Sequence, residues 1–72
     1  MTQEIFLAQR VLELRKERKL NQTQLGEAVG LSCKAISTIE SGKRGTSIEK
    51  LVALADFFAV STDYLLGRTN KR

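Results

Sequence analysis

Apolar positions recur along the chain at three- and four-residue intervals, and no stretch alternates with a period of two over a useful length. That spacing predicts five short helices, over about 3–19, 22–29, 33–41, 47–58 and 62–66, and so an all-α fold. On a helical wheel, Ile5, Leu7, Ala8, Val11, Leu12 and Leu14 share one half of the first helix, and Phe6 falls outside it. Ile48, Leu51, Val52, Leu54, Ala55 and Phe58 form one stripe on the fourth helix, with Phe57 opposite. Both stripes are read as core. Phe6 and Phe57, aimed outward, either pack under a neighbouring segment or form a self-association surface.

The predicted helix ends carry their own chemistry. Asn21, three residues before Gln24, begins a capping box, and Thr46 before Glu49 reads as a second. Ser32 and Ser61 can cap the third and fifth helices by accepting backbone N–H bonds that have no partner inside the helix. Gly30, Gly42 and Gly67 fall where helices should stop, since glycine enters the left-handed region cheaply.

The third helix is the most informative. Ser32, Ala35, Ile36 and Ile39 share the arc expected to face a core. Cys33, Lys34, Ser37, Thr38 and Ser41 share the opposite arc, and Glu40 stands at the boundary. That outer face is short, polar and free of acid. A helix chosen for solubility would carry Glu–Lys pairs and strong helix formers. Serine and threonine weaken a helix instead, while letting another surface approach closely and offering it donors and acceptors. A second oddity is Arg15, in the middle of the first helix's apolar half. Its guanidinium must either snorkel to water or meet a carboxylate, for which Glu40 is the natural partner.

Composition narrows the function. Seventy-two residues make one small domain spanning 1–72. Twelve Lys+Arg against eight Asp+Glu give a net charge of +4, which points to an anionic partner. One Cys and no His exclude an internal disulfide framework and the usual zinc clusters, so no metal or cofactor is expected. Small secreted domains depend on disulfides, so a reducing, cytoplasmic setting is expected. No apolar run reaches the roughly 20 residues of a membrane span. No helix pairs a strong apolar face with an all-basic one, which disfavours a membrane-surface role. No nucleophile–base constellation is present, so an enzyme is not expected.

The segment Gln22 through Glu40, QTQLGEAVGLSCKAISTIE, resembles the helix-turn-helix of the lambda-repressor and Cro class, often called XRE-type. The resemblance rests on Leu25, small Gly26, Val29, the turn Gly30, Leu31, Ile36 and Ile39. It extends to Leu14–Gln22, to Ile39–Arg44 and to Val60–Gly67, covering about residues 7–67. It implies a compact five-helix domain with the motif at about 22–41 and a loose tail at 68–72. It departs from the family at Gly26, where alanine is usual, and at Ala59, where glycine is frequent.

What the resemblance implies about function is specific. The third helix would enter the major groove of double-stranded DNA, with Cys33, Lys34, Ser37 and Thr38 toward base edges. Lys34 is the strongest of these candidates, because an ammonium can donate to guanine O6 and N7. Gln22 and Ser32, at helix starts, would meet phosphates, and Lys43 and Arg44 would clamp the backbone. For these last two the alternative is simply to complement the C-terminal dipole of the third helix. Arg15 and Glu40 match the family's structural ion pair. Cys33 is either an inert small residue or a redox-sensitive one. Arg68, Lys71 and Arg72 are either solvated or in weak phosphate contact. The family further implies a homodimeric transcriptional repressor, cytoplasmic and nucleoid-associated, on a near-palindromic operator. Phe57, Tyr64, Leu65 and Leu66 are the expected dimer surface. The alternative is a protein-interaction module, such as the antitoxin of a toxin–antitoxin pair.

Overall fold

The computed structural model describes residues 2–42 and 46–72, with side chains from Ile5 onward. Five helices follow one another: α1 (Thr2–Glu17), α2 (Gln22–Val29), α3 (Cys33–Ser41), α4 (Ile48–Phe58) and α5 (Thr62–Leu65). No strand occurs among the described residues.

Helices α2 to α5 all start on the same device. Asn21, Ser32, Ser47 and Ser61 hold extended backbone, and each side-chain oxygen accepts the N–H three residues on. At Asn21 the box is reciprocal: the Gln24 N–H donates to Asn21 Oδ1 at 2.7 Å, and the Asn21 N–H to Gln24 Oε1 at 2.9 Å. The box expected at Thr46 is not formed. Ser47 caps α4, its Oγ accepting from the Lys50 N–H at 3.2 Å. That shift of one residue puts Lys50 at the third helical position, and Glu49 is left to complement the helix dipole. The Thr46 hydroxyl is buried, with no hydrogen-bond partner among the described residues.

Two helix stops use residues that the glycine signal could not reveal. Helix α1 ends at Glu17, two residues before the expected 19, because Lys19 turns left-handed at φ 57°. The Lys19 N–H then donates to Lys16 O at 3.0 Å and the Leu20 N–H to Arg15 O at 3.1 Å. Ala59 closes α4 the same way at φ 56°, with the Val60 N–H on Ala55 O at 3.0 Å. A side chain in this region costs about 1–2 kcal/mol, which the extra flexibility of an unfolded glycine only partly offsets. Ala59→Gly is therefore expected to stabilise the domain by about 0.5–1 kcal/mol, raising the melting temperature by about 3–6 °C. A lower melting temperature would show that Ala59 is not strained.

The core draws on every helix. Leu7, Val11 and Leu14 of α1 meet Leu25 of α2, Ile36 and Ile39 of α3, Leu54 and Phe58 of α4, and Leu65 of α5. Of the four residues expected to form a dimer surface, two are covered within the chain itself. Leu65 is fully buried and Tyr64 is 6% exposed, so both belong to the monomer's own core. Phe57 and Leu66 are half-buried. Phe57 packs against the core, edge-on to Phe58 with ring centroids 5.1 Å apart, and the Arg18 guanidinium lies 5.1 Å from its centroid. Phe6 is also half-buried, its ring so close to Gly67 that a Cβ there would collide with it. Packing under a neighbouring segment accounts for both aromatics.

Exposed apolar groups sit elsewhere. Ile48 is 79% and Val52 41% exposed, one turn apart on α4, and Ile5 is 51% exposed. The arc of α4 that is covered centres on Leu54 and Phe58, so the stripe read from the wheel was wider than the face a domain this small can cover.

The residues expected to form a loose tail are tied back. The Ser61 N–H donates to Arg72 O at 2.9 Å, and Arg10 Nη2 donates to Asn70 Oδ1 at 3.0 Å. Arg72 is bidentate on Glu17, with Nη1 to Oε1 at 2.9 Å, and this pairing holds the Glu17 carboxyl below its usual range. The guanidiniums of Arg10 and Arg72 lie 4.1 and 5.5 Å from the Tyr64 ring centroid.

Candidate nucleic-acid interface

Helices α2 and α3 are joined by a turn with Gly30 at φ 76°. The turn folds back tightly: the Leu31 N–H donates to Gly26 O at 2.7 Å, and a Cβ on Gly26 would strike the Leu31 carbonyl oxygen. Glycine at 26 is thus required by this close approach. The helix stability it sacrifices, about 1 kcal/mol, allows the turn to close.

Helix α3 is anchored by its inner face and open on its outer one. Ile36 and Ile39 are buried, while Cys33, Lys34, Ser37 and Ser41 are exposed and Thr38 is half-buried. Part of the polar capacity of this face is already used within the helix. The Thr38 hydroxyl donates to Lys34 O at 2.9 Å, the Ser41 hydroxyl to Thr38 O at 2.6 Å, and Ser32 Oγ accepts the Ala35 N–H at 3.0 Å. Lys34, the charged one among the expected base readers, is exposed. Lys43 and Arg44, expected as backbone clamps, lie outside the described residues.

Arg15 and Glu40 are paired. Nε donates to Oε2 at 2.7 Å and Nη2 to Oε1 at 3.0 Å, with side-chain exposures of 14% and 7%. Arg15 Nη1 also donates to Leu20 O at 2.8 Å, which locks the connection between α1 and α2. The hydrogen bonds to Glu40 raise the Arg15 pKa further, outweighing the opposing effect of burial. Gln22 joins the same group: its Nε2 donates to Glu40 Oε1 at 3.0 Å. Its Oε1 faces Cys33 Sγ at 4.0 Å. Cys33 and Glu40 are seven residues apart, hence on one edge of α3, and the Gln22 carboxamide lies between them.

Beside the outer face runs an open groove of about 510 Å³, lined by Ser32, Lys34, Thr38, Ser47 and Lys50 among others. Lys50 did not emerge from the sequence, because its place in the first turn of α4 suggested no link to α3. With Ser47 as the cap, Lys50 lies in the first turn of α4 and lines the same groove as Lys34. Among the described residues no cluster of His, Cys, Asp and Glu could hold a metal ion, and no helix is long and apolar enough to cross a membrane.

Two capped helices around a left-handed glycine, the second offering an acid-free polar face, define a helix-turn-helix domain. The chain belongs to the helix-turn-helix family, whose profile matches residues 11–65. It is 39% identical over 62 residues to the Bacillus subtilis HTH-type transcriptional regulator YobD, covering 86% of this chain and 55% of that protein. The immunity repressor protein of Bacillus phage phi105 is 34% identical over 61 residues, covering 85% of this chain and 42% of that one. Among solved structures, the P22 c2 repressor in complex with a synthetic operator superposes with a TM-score of 0.79 at 38% identity. That match covers 83% of this chain and 91% of the other. The chain spans about half the length of the curated relatives it matches.

Proposed function

We propose that this domain binds double-stranded DNA in a sequence-dependent way, as the reading part of a transcriptional repressor. The observation that carries this reading is the outer face of α3: exposed, polar, free of acid and anchored from behind by Ile36 and Ile39. Its side chains are short enough to let a groove wall approach, and Lys34 supplies a donor for guanine. Lys50, with Lys34, makes the adjoining groove suitable for a phosphate strand. Gln22 and the capped start of α3 at Ser32 take the phosphate contacts, and Lys43 and Arg44 the flanking backbone. The structural likeness to a repressor bound to an operator agrees with this.

One short reading helix makes too few base contacts for selectivity in a genome, so the protein acts as a homodimer on a near-palindromic site. Ile48 and Val52, exposed one turn apart on α4, offer an apolar patch for such a contact. The test is selection from a random duplex pool, which is expected to enrich inverted half-sites about one helical turn apart. Failure to enrich any motif at moderate salt would overturn sequence-dependent binding. On the selected site, Lys34→Ala is expected to lose about 1–3 kcal/mol of affinity while leaving binding to unrelated duplexes nearly unchanged. An equal loss on both would make Lys34 a phosphate contact rather than a base reader.

A further inference from the structure

We infer that Glu40 is a positioning residue for DNA contact, acting through Gln22; the inference rests on the DNA reading above. The ion pair with Arg15 explains why Glu40 is charged and buried, but it leaves the bond to Gln22 unexplained. Glu40 Oε1 accepts from Arg15 Nη2 and from Gln22 Nε2, each at 3.0 Å. One carboxylate oxygen therefore joins α1, the first residue of α2 and the far end of α3.

The bond fixes which way the Gln22 carboxamide points. An ionised carboxylate only accepts hydrogen bonds, so it holds the nitrogen end of the carboxamide and repels the oxygen end. The oxygen is thereby turned toward Cys33, the first residue of the reading helix, with Sγ 4.0 Å away. A carboxamide nitrogen carries two hydrogens. Glu40 takes one, and the other stays available at the start of α2, where a helix N-terminus already favours an anion. A Gln22 side chain free to rotate would have to be ordered at the moment of binding, at an entropic cost. Held by Glu40, it is ordered beforehand. Arg15 in turn holds Glu40, so the Arg15–Glu40–Gln22 chain of bonds links the register of α3 to the phosphate donor on α2.

Replacing Glu40 alone would strand the Arg15 charge and confound binding with unfolding. Two double variants avoid this: Arg15→Met with Glu40→Gln, and Arg15→Met with Glu40→Met. Both remove the buried charges, a change that such pairs often tolerate. Only the first keeps an oxygen that can accept from Gln22. Affinity for a short mixed-sequence duplex at low salt is measured for both, since phosphate contacts dominate there. The Glu40→Met form is expected to bind about fivefold more weakly than the Glu40→Gln form. The difference is expected to vanish when Gln22→Ala is added to each.

Equal affinities with Gln22 present would overturn the positioning role and leave DNA binding standing. A difference that persists with Gln22→Ala would overturn it too, because Glu40 would then act through general packing. No binding by the unaltered protein would overturn the DNA reading and this inference together. A second measurement needs no core variant: the two side-chain amide protons of Gln22 are followed by NMR as duplex is added to the unaltered protein. One is expected to shift strongly while the other, held by Glu40, stays nearly in place. Two protons that shift alike as duplex is added would refute the clamp.

Discussion

Leu65→Ala is expected to destabilise the monomer by about 3 kcal/mol and to lower its melting temperature by about 12–20 °C. Leu65 is fully buried among residues of the core cluster, and removing most of its side chain deletes apolar contact and leaves a cavity that a short helix cannot fill by shifting. Helix α5 has four residues, so it is held by packing far more than by its own hydrogen bonds. Tyr64 beside it lies under Arg10 and Arg72, and loss of α5 would release these contacts as well. The measurement is thermal melting over a wide range of protein concentration. A core residue lowers the melting temperature equally at every concentration. A dimer contact, as the sequence led us to expect for this segment, would leave the dilute melt unchanged and remove its concentration dependence.

The segment 57–66 shows where the sequence was legible and where it was not. Helix starts could be read because their chemistry is local: a serine or asparagine oxygen accepts an N–H three residues away. Asn21, Ser32 and Ser61 cap as expected, and the Thr46 cap was displaced only to the adjacent Ser47. The helix stop at Lys19 was illegible because the Schellman bonds form on any backbone that accepts the left-handed turn, and only glycine advertises it. Helix α4, by contrast, ends at Phe58 where periodicity put it, although Ala59 carries no such signal. Burial was legible where the wheel was one-sided, as on α3. It failed on α4, because a wheel gives directions but not which directions a neighbour covers. Ile48 and Val52 were thus placed inside, whereas Phe57 was placed outside although the core and Arg18 flank it. The contacts of residues 68–72 were illegible for the same reason, since Arg72 meets Glu17, 55 residues away, as well as Ser61. At the candidate interface, the outer face of α3 followed from periodicity alone, but Lys50 and the Glu40–Gln22 bond depend on how three helices meet.

Glu40→Ala is expected to cost about 3 kcal/mol and to lower the melting temperature by about 12–20 °C. The pair is shielded on both sides, with 14% of the Arg15 and 7% of the Glu40 side chain exposed. Truncating Glu40 removes two hydrogen bonds to Arg15 and one to Gln22, and among the described residues it leaves the guanidinium held only by the Leu20 carbonyl. Arginine cannot shed its proton to escape, so the uncompensated charge must be rehydrated by opening the packing around it. Partial snorkelling to water moderates the loss, which places it at the lower end of the range for a broken buried pair, about 3–5 kcal/mol. The pair itself contributes much less net stability than its rupture costs, because both charges were desolvated to form it. Arg15→Met combined with Glu40→Met is therefore expected to melt within a few degrees of the parent, well above Glu40→Ala. Melting curves of the three proteins decide the matter. A Glu40→Ala variant as stable as the parent would mean that the pair is hydrated in solution. A double variant as unstable as Glu40→Ala would mean that the two side chains hold α1 and α3 together by shape rather than by charge.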